Sequence, residues 1–70
     1  MKIINCNEFG KKCMLRRKEL GYTQAYLSEV SGLSTSFISD AENGKVTIEL
    51  GKAIQLAKLL GMDLYLEERK

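Results

Sequence analysis

A small, mostly helical domain ending in a short strand is predicted by three features of this 70-residue chain. It contains no proline. Gly21, Gly32, Gly44 and Gly61 fall where apolar runs at helical spacing break off, the places where a left-handed residue stops a helix. The last residues then switch period: Met62, Leu64 and Leu66 alternate with Asp63, Tyr65 and Glu67, the mark of a strand. Seventy residues make a single domain, 1–70, near the lower limit for a core without staples. With 44% hydrophobic and 29% charged residues, the chain reads as a folded globule rather than a disordered tail.

The elements follow in order. Residues 1–6 form an apolar lead with strand-like Ile3-Ile4, and the pattern leaves open whether it pairs, packs or frays. The first helix is expected over 7–20, capped by Asn7, with Phe9, Cys13 and Leu20 near one face. Arg16 and Arg17 follow Cys13 by three and four residues, so one of them lies near the buried side. Thr23 caps a second helix, Gln24 to about Ser31, in which Leu27 and Val30 form an i, i+3 apolar pair. Gly32 breaks it, and Leu33 is the apolar residue of the turn. Ser34 caps a third helix from Thr35 to about Asn43, with Phe37, Ile38 and Ala41 as apolar positions. Thr47 caps a fourth, Ile48 to Leu60, whose stripe of Leu50, Ala53, Leu56, Ala57 and Leu60 faces the core. The core thus spans about 7–61, and the strand about 62–67. A lone strand is unstable because its backbone groups need a partner. The available partners are the Ile3-Ile4 segment or the same strand of a second subunit.

The net charge is only +2, but it is unevenly spread. Residues 1–20 carry Lys2, Lys11, Lys12, Arg16, Arg17 and Lys18 against Glu8 and Glu19, whereas the remainder is net acidic. Such a basic end finds phosphate or simply forms a solvated helix face. Cys6 and Cys13 are the only cysteines. On one helix they stand roughly 10 Å apart, beyond the ~7 Å that a disulfide spans. With no histidine and no CxxC pair, no metal or other cofactor is expected. Free thiols fit a reducing, cytoplasmic compartment. No apolar run approaches the ~20 residues of a membrane span, and no signal peptide is visible. An enzyme is a poor reading, because no nucleophile–base pair or glycine-rich phosphate loop is present and the thiols sit on a packed helix as small hydrophobes. RNA binding lacks its aromatic stacking platforms.

The informative stretch is Thr23 to Lys45, TQAYLSEVSGLSTSFISDAENGK. Two short helices are joined by a tight turn holding Gly32 and Leu33, and small Ser28 lets them approach. Leu27, Leu33 and Ile38 close one apolar wedge. This leaves Thr35, Ser36, Ser39 and Asp40 on the outward face of the third helix, short and polar. Such a face fits deep in a major groove, where hydroxyls meet base edges.

The stretch resembles the helix-turn-helix domain of the XRE and phage Cro/repressor family. The residues that carry the resemblance are Gly21, Thr23-Gln24, Leu27, Gly32-Leu33-Ser34, Ser36, Ile38-Ser39, Glu42-Asn43-Gly44-Lys45 and Leu56-Ala57-Lys58-Leu59-Leu60-Gly61, within about residues 9–61. No single element is specific, but the ordered set is. The resemblance implies an all-α, lambda-repressor-like bundle of four or five helices that binds double-stranded DNA. It implies base-reading positions at Thr35, Ser36 and Asp40, with Ser39 beside them. Gln24 would meet phosphate at the start of the second helix, and Asn43, Gly44 and Lys45 would grip the backbone. Arg17 and Glu42 match a structural ion pair. Asp40 departs from the pattern: it either accepts from a cytosine amino group or is a surface residue that weakens binding.

The C-terminal part, TIELGKAIQLAKLLGMDLYLEERK, is similar to small HipB-like antitoxins, in which a strand after the last helix pairs with its twin across a homodimer. Ile54 and Leu59 are apolar beyond the core stripe, and with Leu64, Tyr65 and Leu66 they are the expected dimer interface. The subgroup likeness implies a HipA-like kinase toxin as partner; a dimer of such domains is expected to repress at a palindromic operator, in the cytoplasm and associated with the nucleoid. The competing reading is a protein-interaction antitoxin whose main task is neutralising a toxin.

Overall fold

The computed structural model describes residues 2–69. Met1 and Lys70, the ends of the expected single domain, lie outside the described residues. Four helices are present among them: α1 (Cys6–Glu19), α2 (Gln24–Ser31), α3 (Thr35–Glu42) and α4 (Leu50–Leu59). No helix among the described residues is long and apolar enough to cross a membrane.

α1 is capped by Asn5 rather than Asn7. Asn5 is extended (φ −157°, ψ 172°), and its side-chain oxygen accepts from the Glu8 amide at 2.9 Å. Glu8 Oε1 accepts at 3.4 Å from the amide of Ile4, the residue before the cap, rather than from the Asn5 amide as a reciprocal capping box would have it. Asn7 is displaced from that role because it lies against Gly44 of the loop after α3. In the last turn, Arg16 Nε donates to the Leu60 carbonyl at 2.9 Å. One cation thereby serves the negative ends of α1 and α4 together.

α2 and α3 are capped as their sequences predict. Thr23 accepts from the Tyr26 amide and Ser34 from the Phe37 amide, both at 3.0 Å. Gly32 closes α2 with φ 77°, a conformation in which a Cβ would strain the backbone. α3 packs against both α1 and α2.

The core consists of Cys13, Leu27, Leu33, Ile38, Ala41, Leu56 and Leu60, with Phe9, Leu20, Tyr22, Phe37, Ile48 and Met62 packed around it. Ala53 and Ala57 are buried as well. Burial of the Cys13 thiol, with the Glu42 carboxylate adding to it, pushes its pKa up to about 12, so the group stays protonated as part of the core.

Three expectations are corrected. Val30 is exposed, not paired with Leu27 in the core; three residues on, it is rotated about 60° from the Leu27 face of a short helix. α4 begins at Leu50 behind Glu49, not at Ile48 behind Thr47, and Glu49 makes no side-chain cap bond. Ile48 packs on the core from the preceding turn, and Leu50, displaced from the stripe, is exposed. The strand expected at 62–67 does not form: residues 62–69 have no regular structure, and none of their amides bonds to the Ile3-Ile4 segment. Among the described tail residues Met62 packs on the core, while Leu64, Tyr65 and Leu66 are exposed. A strand exists only where a second one pairs with it, and one chain offers none here.

Candidate nucleic-acid interface

The turn between α2 and α3 is built locally. After Gly32, the Leu33 amide donates to Ser31 Oγ at 3.0 Å, and the Leu33 side chain is buried. Leu27, Leu33 and Ile38 belong to the same cluster, so the angle between the helices is fixed by packing rather than by the turn alone.

α3 has two distinct sides. Ile38, Ala41 and Glu42 are buried, whereas Thr35 and Ser36 are exposed and Ser39 and Asp40 half-buried. Among the described residues nothing covers Thr35 and Ser36, whereas Ser39 and Asp40 are partly covered by the loop that follows. Ser39 Oγ accepts weakly from Asn43 Nδ2 at 3.4 Å, and Asp40 Oδ2 lies 3.4 Å from Lys45 Nζ. These contacts tie the face to the loop that follows it.

That loop closes α3 with two backbone bonds, Gly44 to the Ala41 carbonyl at 3.1 Å and Lys45 to the Asp40 carbonyl at 3.0 Å. Gly44 has φ 80°, and a Cβ there would run into the Asn7 side chain and backbone. Asn43 and Lys45 are exposed.

Glu42 connects this loop to the start of α2. Arg17 grips it with two bonds, Nε to Oε2 at 2.7 Å and Nη2 to Oε1 at 3.0 Å. Arg17 Nη1 donates to the Tyr22 carbonyl at 2.9 Å, and Gln24 Nε2 donates to Glu42 Oε1 at 3.1 Å. The side chains of Arg17 and Glu42 are 12% and 4% exposed, so the pair is largely shielded from water. Its hydrogen bond to Glu42 raises the Arg17 pKa. No buried side-chain nitrogen or oxygen among the described residues lacks a partner. The Gln24 link was not foreseen: its amide nitrogen braces Glu42, which places the first residue of α2 beside the end of α3. Glu42 is 18 residues further along, and no local pattern reports such a contact.

The five expected dimer residues line two depressions. Ile54 and Leu59 line a shallow depression on the outer side of α4 with Gly51, Gln55 and Lys58. Leu64, Tyr65 and Leu66 line an open cleft of about 810 Å³ that also involves Ile3, Phe9 and Lys12.

Gly10, in the middle of α1, is a structural requirement that the sequence reading missed. A Cβ there would lie 2.1 Å from the Ala41 carbonyl oxygen and 2.7 Å from that of Glu42, so α1 and α3 touch backbone to backbone. The available signal was a glycine inside a helix, where it costs about 1 kcal/mol against alanine and so calls for a packing reason.

Comparison with known proteins places this geometry. The helix-turn-helix family HTH_3 matches residues 14–66. An uncharacterized HTH-type transcriptional regulator, y4mF of Sinorhizobium fredii, is 35% identical over 57 residues, covering 81% of this chain and 75% of that protein. A solved complex of a HipB variant with an O2 20mer superposes with a TM-score of 0.88 at 26% identity, covering 100% of this chain and 97% of that one. A HipA-HipB-O2-O3 complex has the same fold, with a TM-score of 0.88 at 24% identity over 100% and 99% of the two chains.

Proposed function

The chain belongs to the HTH_3 helix-turn-helix family of DNA-binding regulators, and on that premise we propose that it acts as a dimeric repressor reading a palindromic operator through α3. One observation carries this reading: Thr35 and Ser36 stand free on α3, while the opposite side of the helix is locked into the core. The likeness to HipB in a complex with an O2 20mer supports it.

In this mechanism the two α3 helices of a dimer sit about 34 Å apart, in successive major grooves. Thr35, Ser36, Ser39 and Asp40 read base edges, and Asn43, Gly44, Lys45 and the amide end of α2 at Gln24 hold phosphate. A bound dimer overlapping a promoter excludes polymerase. Ile54 and Leu59 on α4 and the exposed Leu64, Tyr65 and Leu66 supply the subunit contacts, the tail strand forming when a second copy pairs with it. A HipA-like kinase is the proposed protein partner, a reading supported by the shared fold with HipB in a HipA-HipB-O2-O3 assembly.

Selection of bound sites from random duplex DNA tests the reading directly; enrichment of a two-fold symmetric motif is expected, and failure to enrich any motif would overturn it. Ser36→Ala should then change preference among variants of the selected site by about 1–3 kcal/mol. An unchanged ranking in competition binding would remove Ser36 from the base-reading set. Lys45→Ala should weaken binding to the selected site and make its salt dependence shallower by about one unit of log–log slope.

A further inference from the structure

Asp40 and Lys45 form a pair with a consequence for DNA discrimination. Between Lys18 and Lys52 the sequence contains a single basic residue, Lys45. The helix-turn-helix and its following loop thus carry one cation, and that cation is engaged: its Nζ lies 3.4 Å from Asp40 Oδ2. The loop's backbone sets up this contact, because the Lys45 amide bonds to the Asp40 carbonyl and folds the residue back over the last turn of α3. Asp40 is also the one carboxylate on the exposed side of that helix, Glu42 being buried.

Building on the assignment of α3 as the DNA-reading helix, we infer that Asp40 is a specificity-determining residue that works by holding Lys45 away from phosphate until a base-edge donor replaces the lysine. Both side chains are about half exposed, at 46% and 55%, and exposed pairs of this kind are weak. A phosphate can therefore compete for Nζ. On an arbitrary sequence the exchange leaves Asp40 unpaired among the phosphates of the groove. Where a cytosine amino group comes within reach, the carboxylate accepts from it, Lys45 turns to phosphate, and both charges are satisfied. Discrimination then comes from penalising the wrong site as well as rewarding the right one.

The test is a double-mutant cycle of wild type, Asp40→Asn, Lys45→Gln and the double variant. Binding is measured on a random-sequence duplex pool and on sites that the wild type selects from it, at several ionic strengths. Thermal melts of the four proteins are expected to coincide, since both side chains are at the surface. Asp40→Asn should bind the pool several-fold to about tenfold more tightly at low salt and gain little or nothing on selected sites, so that the ratio between them falls. Lys45→Gln should cost more pool affinity in the Asp40→Asn background, where the lysine is free, than in the wild type. Strict additivity of the two substitutions, or an unchanged ratio for Asp40→Asn, overturns this inference while leaving α3 as the reading helix. Failure of the wild type to bind either duplex overturns both.

Discussion

Arg17→Ala should remove about 3–5 kcal/mol of stability, enough to leave much of the protein unfolded at moderate temperature. A domain of this size has a total of only a few to about 10 kcal/mol, at roughly 0.05–0.15 kcal/mol per residue. The cost does not come from the worth of the ion pair itself. Removing the guanidinium strands the Glu42 carboxylate, only 4% exposed, with Gln24 as its one remaining side-chain partner among the described residues. The Tyr22 carbonyl loses its donor as well. An unpaired buried charge is penalised far more heavily than an exchanged one is rewarded. For that reason Arg17→Met combined with Glu42→Leu should be less damaging than Arg17→Ala alone. Urea unfolding of the single and double variants checks this. A loss below about 1 kcal/mol for Arg17→Ala, the level of an exposed pair, would show that the bridge is solvated.

Gly10→Ala should cost roughly 2–3 kcal/mol, against the direction that helix propensity dictates. Propensity favours alanine inside a helix by about 1 kcal/mol. Packing opposes it, because the new methyl would overlap the Ala41 and Glu42 carbonyls, which are backbone atoms and cannot rotate away. Overpacking of this kind costs about 1–3 kcal/mol when neighbours can yield. Here yielding means moving α1 off α3, and Arg17 and Glu42 sit on those same two helices. Gly51→Ala in α4 is the matched control: its nearest neighbour would be 3.7 Å away, so propensity should win and stability rise. If the two variants shift the thermal midpoint in the same upward direction, the close α1–α3 approach is wrong.

What was legible in the sequence was local. Thr23 and Ser34 cap helices because an extended hydroxyl residue before an apolar run satisfies an amide two or three positions on, whatever the rest of the chain does. The hydroxyl face of α3 was readable for a similar reason, since its short polar residues sit opposite Ile38 and Ala41. Where two local solutions competed, distant packing decided. Asn5 and Asn7 can both cap, and the seat of Asn7 against Gly44 breaks the tie. Ile48 can start a helix or fill the core from a turn, and it does the second. The reason for Gly10 and the Gln24–Glu42 bond each involve residues far apart in the chain, so no window of sequence contains them. The tail's alternation has the period of a strand, but period alone does not make one: a strand needs a hydrogen-bonding partner, and none of the amides of residues 62–69 bonds to the Ile3-Ile4 segment.

The separation of α3 into a locked side and an open side has an evolutionary corollary. Among the described residues the side chains of Thr35 and Ser36 are exposed, while Ile38, Ala41 and Glu42 are committed to the interior. The outer positions can therefore be exchanged at almost no thermodynamic penalty, and on the proposed reading of α3 a paralogue would change its target by replacing a few small side chains on an otherwise untouched chassis.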